Sequence, residues 1–554
     1  MAALNVVQKP AATEPEASFT YHKRPVTDGP ARKVLCIFPH YTKALGTFDH
    51  AYPLLGVKAF MPPQGLLLII SYLPRHWEIR FVDENVKPAK YKDFQWADAV
   101  LVSGMMHIQR QQTNDINRRA HKFGKVTVLG GPSVSGCPEY YPDFDYLHLG
   151  ELGDATDEML TTLAKSVERP AEQRRFVTGE RLPLTEFPTP AYKLAGIHKY
   201  FVASVQYSSG CPYRCDFCDI PELYGQTPRM KTPKQLLAEL DAIVDDGCIG
   251  SVYFVDDNFV GNRKAAKELL PHLIEWQKKR NYPVEFACEA TLNIVKSPDL
   301  LQMMHEASFW TMFCGIETPN PAALKAMSKD QNNQMPILEA VQTLNSFGIE
   351  VVSGIIMGLD TDTYDTPNQM LQFAEESGIP ILTFNLVQAL PRTPLHRRLK
   401  AEGRLIEAEG RESNVDFKLP YDDVVDMWRS TTQTAYKPEA IYKRFKHQQE
   451  HTYPNRVEIP PTGKLTFVNV WRGVSTLAKL MVKVGILGNY RKTFWDMAWP
   501  ALKSMDIETV IHVSLVAHQM ISFAREAEAG YENAGFYSTK LKTQGGSLGS
   551  INAS

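Results

Sequence analysis

Residues 203–225 read ASVQYSSGCPYRCDFCDIPELYG. A short run rich in β-branched and aromatic residues stops at Gly210 and Pro212, so a strand gives way there to a loop. Cys211, Cys215 and Cys218 follow in that loop with the spacing C-x3-C-x2-C. Three thiolates can hold three irons of a four-iron cluster, which leaves the fourth iron open to a small molecule that can take an electron. Zinc is the competing occupant, but it needs a fourth Cys or His at a suitable spacing and none follows closely after Cys218. Inert burial suits these cysteines less, because Tyr213, Arg214, Asp216 and Asp219 are interleaved with them. Cys36, Cys137, Cys248, Cys288 and Cys314 stand singly and read as packing residues.

Downstream of the loop the text alternates strand runs with amphipathic helices such as TPKQLLAELDAIVDDG. After FVASVQYSS the strand runs are SVYFVDDNF, PVEFACEATL, TMFCGIET, EVVSGIIMG and LTFNLVQAL. Six such units without closure predict a partial (β/α)6 TIM-type barrel over residues 197–405, with its chemistry at the carboxyl ends of the strands. Asp256 and Asp257 are adjacent, so in a strand they face opposite sides and at most one points into the barrel.

Upstream, KVLCIFP, PPQGLLLIISYL, IRFVDENV, ADAVLVSG, KVTVLGGP and FDYLHLGE form an earlier alternating series. It predicts an α/β, doubly wound, Rossmann-like parallel sheet over residues 31–165, with a ligand crevice beyond the strand ends. Ser103, Gly104, Gly130, Gly131, Gly150 and Glu151 stand at those ends. Glycine there lets backbone approach a ligand, and tight turns explain the glycines equally well. The Pro-rich stretch 166–196 reads as a linker, 406–535 as a helical C-terminal region, and 1–30 and 536–554 as a disordered leader and tail.

The chain has 554 residues, 44% of them hydrophobic, enough for several cores, and its 60 basic and 62 acidic residues nearly balance. That balance gives no sign of a nucleic-acid partner. Sparse cysteines point to a reducing cytoplasm, no secretory signal is visible, and no run of 18 uncharged apolar residues suggests a spanning helix. WRGVSTLAKLMVKVGILGNYRKTFWDMAW mixes apolar and basic residues in a way compatible with peripheral membrane contact, and core packing is the plainer reading.

The cysteine spacing with an aromatic before the last Cys resembles the radical S-adenosylmethionine superfamily. On that resemblance Phe217 lies near the adenine, Glu317 in GIETPNP is the fourth-strand acid that contacts the nucleoside, and Ser353 and Gln388 fall where later strands meet S-adenosylmethionine. A sheet domain ahead of such a barrel is similar to the cobalamin-binding subclass, with Gly104, Gly130, Gly131 and Gly150 making room for the corrin. The pattern D-x-H-x-x-G is absent, so the lower axial histidine is in doubt and His40 is no safe substitute.

From about residue 33 to 525 the chain most resembles the hopanoid C-2 methylases, through segments such as MPPQGLLLI, CDIPELYG, VYFVDDNFVGNRKAA, CEATLNI and ESNVDF. The resemblance implies a [4Fe-4S] cluster, S-adenosylmethionine and cobalamin as cofactors. It also implies a small lipid substrate, a reductant such as a ferredoxin or flavodoxin, and methylation of an unactivated carbon. A cobalamin-dependent cyclase or oxidase is the enzymatic alternative, and a non-enzymatic zinc protein the remote one.

Overall fold

The computed structural model describes residues 29–41, 47–104, 109–247, 250–406, 408, 410–458 and 467–529. The expected tail, most of the expected leader, and Cys248 lie outside the described residues.

The first sheet contains β1 (Lys33–Phe38), β2 (Glu78–Asp83), β3 (Ala99–Ser103), β4 (Val126–Gly130), β5 (Tyr146–Leu149) and β6 (Arg174–Val177). All are parallel, in the order β2-β1-β3-β4-β5-β6. Strand β1 is buried from Val34 to Phe38, as a central strand covered by helices on both faces must be. The order reverses between β1 and β3, which opens the expected crevice beyond Phe38 and Ser103. Strand β6 falls within 166–196, so that stretch is not purely a linker and the first sheet runs to Val177. RRFV was illegible as a strand because it is an edge strand in which Phe176 alone is buried.

The second sheet begins with β7 (Ala203–Val205). A hairpin of β8 (Ser208–Ser209) and β9 (Arg229–Met230) then brackets the cysteine loop. Strands β10 (Ser251–Phe254), β11 (Glu285–Glu289), β12 (Phe309–Phe313), β13 (Glu350–Met357) and β14 (Ile381–Leu386) complete it. The order β14-β13-β12-β11-β10-β7 is parallel throughout and open, a six-stranded partial barrel. Phe254, Phe286 and Phe309 pack with Phe259 and Trp276 on the helix side of the sheet. By alternation Tyr253 and Glu289 face the interior, and so does Gly354, two residues beyond Val352, the register partner of Phe313.

The C-terminal helices lie over the β13–β14 side. In helix Tyr421–Ala435, Trp428 Nε1 donates to Phe384 O at 2.8 Å. The buried Glu350 at the start of β13 accepts from Tyr453 Oη at 2.6 Å and pairs with His512 of helix Ile507–Glu528 at 3.3 Å. That helix is long and apolar enough to cross a membrane by composition, close to the limit the sequence suggested none would reach, yet most of its apolar stretch is buried in the molecule. It is a core helix.

The two sheets are joined by backbone. Lys58 N donates to Lys199 O at 2.7 Å, Phe201 N to Ala59 O at 2.9 Å and Val202 N to Phe60 O at 2.9 Å, with a parallel bridge between Ala59 and Tyr200. Ser204 Oγ adds a bond to Pro62 O at 3.2 Å. The stretch 58–62 therefore runs beside the chain entering β7.

Candidate active site

The cysteine loop is held from several directions. Asp256 accepts from Tyr207 N at 2.7 Å and from Ser208 N at 3.0 Å and Oγ at 2.9 Å, and Asp257 accepts from Gly210 N at 2.7 Å. Strand β10 ends at Phe254. Strand alternation therefore does not govern these two residues, and both carboxylates serve the loop instead of one. Burial raises Asp256 to about 6 and Asp257 to about 7, against the opposing pull of the N–H groups they accept. Asp216 N donates to Met327 O at 3.1 Å and Asp216 O accepts from Leu395 N at 2.9 Å, tying the loop to the far side of the barrel mouth.

Cys215 is buried, and Cys211 and Cys218 are partly exposed. Gln331 Nε2 donates to Cys215 Sγ at 3.4 Å, and Asn258 Nδ2 reaches Cys211 Sγ at 4.0 Å. Burial raises the Cys211 and Cys218 thiols, and a bound metal would act against that rise by favouring the thiolates. Among the described residues no three His, Cys, Asp or Glu side chains converge on a single ion. Three thiolates in one loop are a donor set able to hold three irons of a four-iron cluster.

Glu317 follows β12 with φ +65°, a conformation unusual for a residue with a side chain. Its backbone is fixed from both sides, since Glu317 N donates to Gly354 O at 2.9 Å and Ile356 N donates to Glu317 O at 2.7 Å. Its carboxylate forms an ion pair with the buried Lys329, whose Nζ lies 5.5 Å from the centre of the Phe217 ring. A Cβ on Gly315 would collide with that carboxylate and lie 2.7 Å from Lys329 Nζ, so a side chain there would displace the pair. Phe217, Glu317 and Lys329 thus form one cluster beside the cysteine loop, and Phe217 also lines a cavity of 330 Å³ with Met327, Leu359 and Arg398.

One expected residue, Ser353, turns away from the barrel interior. Ser353 is fully buried on the helix side of β13, where Oγ donates to Cys314 O at 2.6 Å and accepts from Ile316 N at 3.2 Å. Gly354 is the position that faces Glu317, with a Cβ there 3.9 Å from Oε2. The sequence could not say which of two neighbours turns inward in a strand buried on both faces. Gln388 donates to Glu412 O and accepts from Asn414 N at 3.3 Å, which fastens the end of β14 to the following segment.

The ends of the first sheet face this loop. Glu151, just after β5, accepts from Ser209 Oγ at 3.0 Å and pairs with Arg229 at 2.6 Å and Arg181 at 3.2 Å. Ser209 is two residues from Cys211. Gly131 has φ +107° and a Cβ there would lie 2.6 Å from Gly104 O; Gly150 has φ +106° and a Cβ would lie 2.9 Å from Thr178 Cβ. Those two glycines are demanded by the chain's own close approaches. At Gly104 and Gly130 a Cβ would be in ordinary contact with Thr113 Oγ1 at 3.4 Å and His148 Cβ at 3.8 Å, so neither glycine is forced by a clash, while Ser103 Oγ lies against Gly131. At the junction Arg229 Nε and Nη1 are buried without a hydrogen-bond partner among the described residues.

A cluster-type cysteine loop after the first strand of an open parallel barrel, with a crevice-bearing sheet turned toward it, defines a radical S-adenosylmethionine enzyme. Residues 205–374 match the radical SAM superfamily, and residues 393–533 match a domain of unknown function, DUF4070. The chain is 57% identical to the hopanoid C-2 methylase of Rhodopseudomonas palustris (strain TIE-1), over 92% of this chain and 97% of that protein. It is 31% identical to an uncharacterized methyltransferase of Synechocystis sp. (strain PCC 6803), over 88% of this chain and 90% of that one. The cobalamin-dependent S-adenosylmethionine radical enzyme OxsB, solved with aqua-cobalamin bound, shares the fold with a TM-score of 0.57 at 16% identity, covering 90% of this chain and 81% of that one. The protein belongs to the hopanoid C-2 methylase family of radical SAM methyltransferases.

Proposed function

We propose that this enzyme methylates a hopanoid at C-2, using a [4Fe-4S] cluster, S-adenosylmethionine and cobalamin. The observation that carries the reading is the mutual facing of the cysteine loop and the glycine-bearing strand ends, joined through Glu151. When bound, the cluster supplies the electron that cleaves S-adenosylmethionine and cobalamin carries the methyl group, so the cofactors bring the chemistry that an inert C–H bond requires.

The chain's own residues hold, orient and enclose. Cys211, Cys215 and Cys218 hold the cluster, with Asn258 and Gln331 donating toward its sulfurs. Glu317 would take the nucleoside, its carboxylate paired with Lys329, and Phe217 lies along the same site. The strand ends carrying Gly104 and Gly130 would hold the cobalamin. Tyr253 and Glu289, hydrogen-bonded at 3.3 Å, line the interior. The closed helical side keeps water from the reacting carbon. A ferredoxin or flavodoxin serves as reductant, and the enzyme works in the cytoplasm against a membrane that stores the lipid.

Anaerobic turnover with reductant, cobalamin, S-adenosylmethionine and diploptene tests this. The expected result is a methylated hopanoid with one S-adenosylhomocysteine and one 5′-deoxyadenosine per product, all lost in Cys215→Ala. Formation of 5′-deoxyadenosine without methyl transfer would instead mark a radical cyclase or oxidase.

A further inference from the structure

Most of the large apolar side chains exposed among the described residues fall in one stretch, Val470 to Ile507. Helix Phe467–Leu480 continues into a π-helical segment, Met481–Ile486. One side of it, through Leu480 and Val484, is fully buried against the molecule. The other side should be polar if the helix merely covered the core. Instead Trp471, Val474, Val482 and Ile486 recur on it at steps of three or four residues and their multiples. Trp471 is 65% exposed and Ile486 61%, and Leu487 beside them is 74% exposed. The wider π turn keeps positions four apart in line, so the stripe does not wind away. Trp499 of the next helix, Arg491–Lys503, is 56% exposed.

Charge is equally one-sided. Between Phe467 and Lys503 the basic residues are Arg472, Lys479, Lys483, Arg491, Lys492 and Lys503, and Asp496 is the one acid, in a chain whose net charge is -2. Arg472 and Lys479 are tied to backbone carbonyls of His198 and Leu54, whereas Lys483, Arg491, Lys492 and Lys503 are exposed. Lys503 Nζ stands 5.4 Å from the Trp499 ring centre, an aromatic and a cation sharing one edge. An apolar stripe with tryptophans, rimmed by cations, matches a surface that is greasy inside and anionic outside.

We propose that the outer face of Phe467–Lys503 is a docking surface for an anionic lipid bilayer, into which Trp471, Val482, Ile486 and Trp499 insert while the lysines meet headgroups. The inference deepens the functional reading by naming the partner that would present a lipid substrate, but it stands on the surface alone, and vesicle binding is read without turnover. A failed methylation with intact vesicle binding would therefore count against the substrate and not against this surface.

Flotation of the full chain with phosphatidylcholine vesicles, with and without phosphatidylglycerol, tests it. Binding is expected to the anionic vesicles, to weaken with salt, and to shield Trp471 and Trp499 so that brominated lipid quenches their fluorescence. Trp471→Ser/Val482→Ser/Ile486→Ser and Lys483→Glu/Lys492→Glu/Lys503→Glu should each weaken it at least about tenfold, with bound iron unchanged as the sign of an intact fold. Equal binding by wild type and both variants would overturn the proposal. So would concentration-dependent self-association, abolished by the apolar substitutions, in a chain that ignores vesicles, because the face would then join two copies.

Discussion

Lys329 has no counterpart in the sequence motif, yet it is the ion-pair partner of Glu317. The two form a largely buried ion pair beside the cysteine loop, with side chains 7% and 11% exposed. Removing the cation alone leaves a carboxylate with little water and no partner, so Lys329→Met should cost about 3–5 kcal/mol in urea unfolding. The double variant Lys329→Met/Glu317→Gln should recover most of that loss. A second residue-scale expectation concerns Gly131, where a Cβ would meet Gly104 O at 2.6 Å in a backbone region L side chains avoid. Gly131→Ala should destabilise the first sheet by more than about 1 kcal/mol, seen as a lower Tm. Of the residues around the site, the three cysteines were legible because their spacing is local. Lys329, Gln331 and Asn258 were not, because they reach the loop across 116 residues in the case of Gln331 and Cys215, and across 47 in that of Asn258 and Cys211.

Glu350 shows what one carboxylate does for a whole element. Burial alone would raise it, but His512, Arg456 and Tyr453 outweigh burial and hold it below the ordinary glutamate range. A depressed folded value means stability that is present above about pH 4.5 and disappears as pH falls through the folded value. Helix Ile507–Glu528 and residues 453–456 should therefore lose hydrogen-exchange protection on acidification, and Glu350→Gln should flatten that dependence. Elements were otherwise readable where apolar runs were long, as in β1 and β13. The edge strand β6 was hidden by its arginines, and the facing of Ser353 and Gly354 was hidden because β13 is covered on both faces.

At the scale of the molecule, Glu151 joins the end of the first sheet to the hairpin that carries the cysteines. Glu151→Gln keeps the shape and removes the charge that two arginines share. It should raise exchange in residues 207–230 and broaden the electron paramagnetic resonance of the reduced cluster, while iron content stays near wild type. A merely structural role for Glu151 would lower iron content instead. The order of sheet, open barrel and helices was visible in the alternation of runs, but the way the sheets face each other was not, since no local pattern encodes it. The backbone bonds between residues 58–60 and 199–202 carry this further. They lay a segment of the N-terminal half along the chain just ahead of the barrel's entry strand, covering backbone that would otherwise invite pairing between molecules. Inheritance of these two halves is consequently linked: a barrel transplanted without its native companion is expected to aggregate, so substrate range in such enzymes would change by altering side chains and not by exchanging halves.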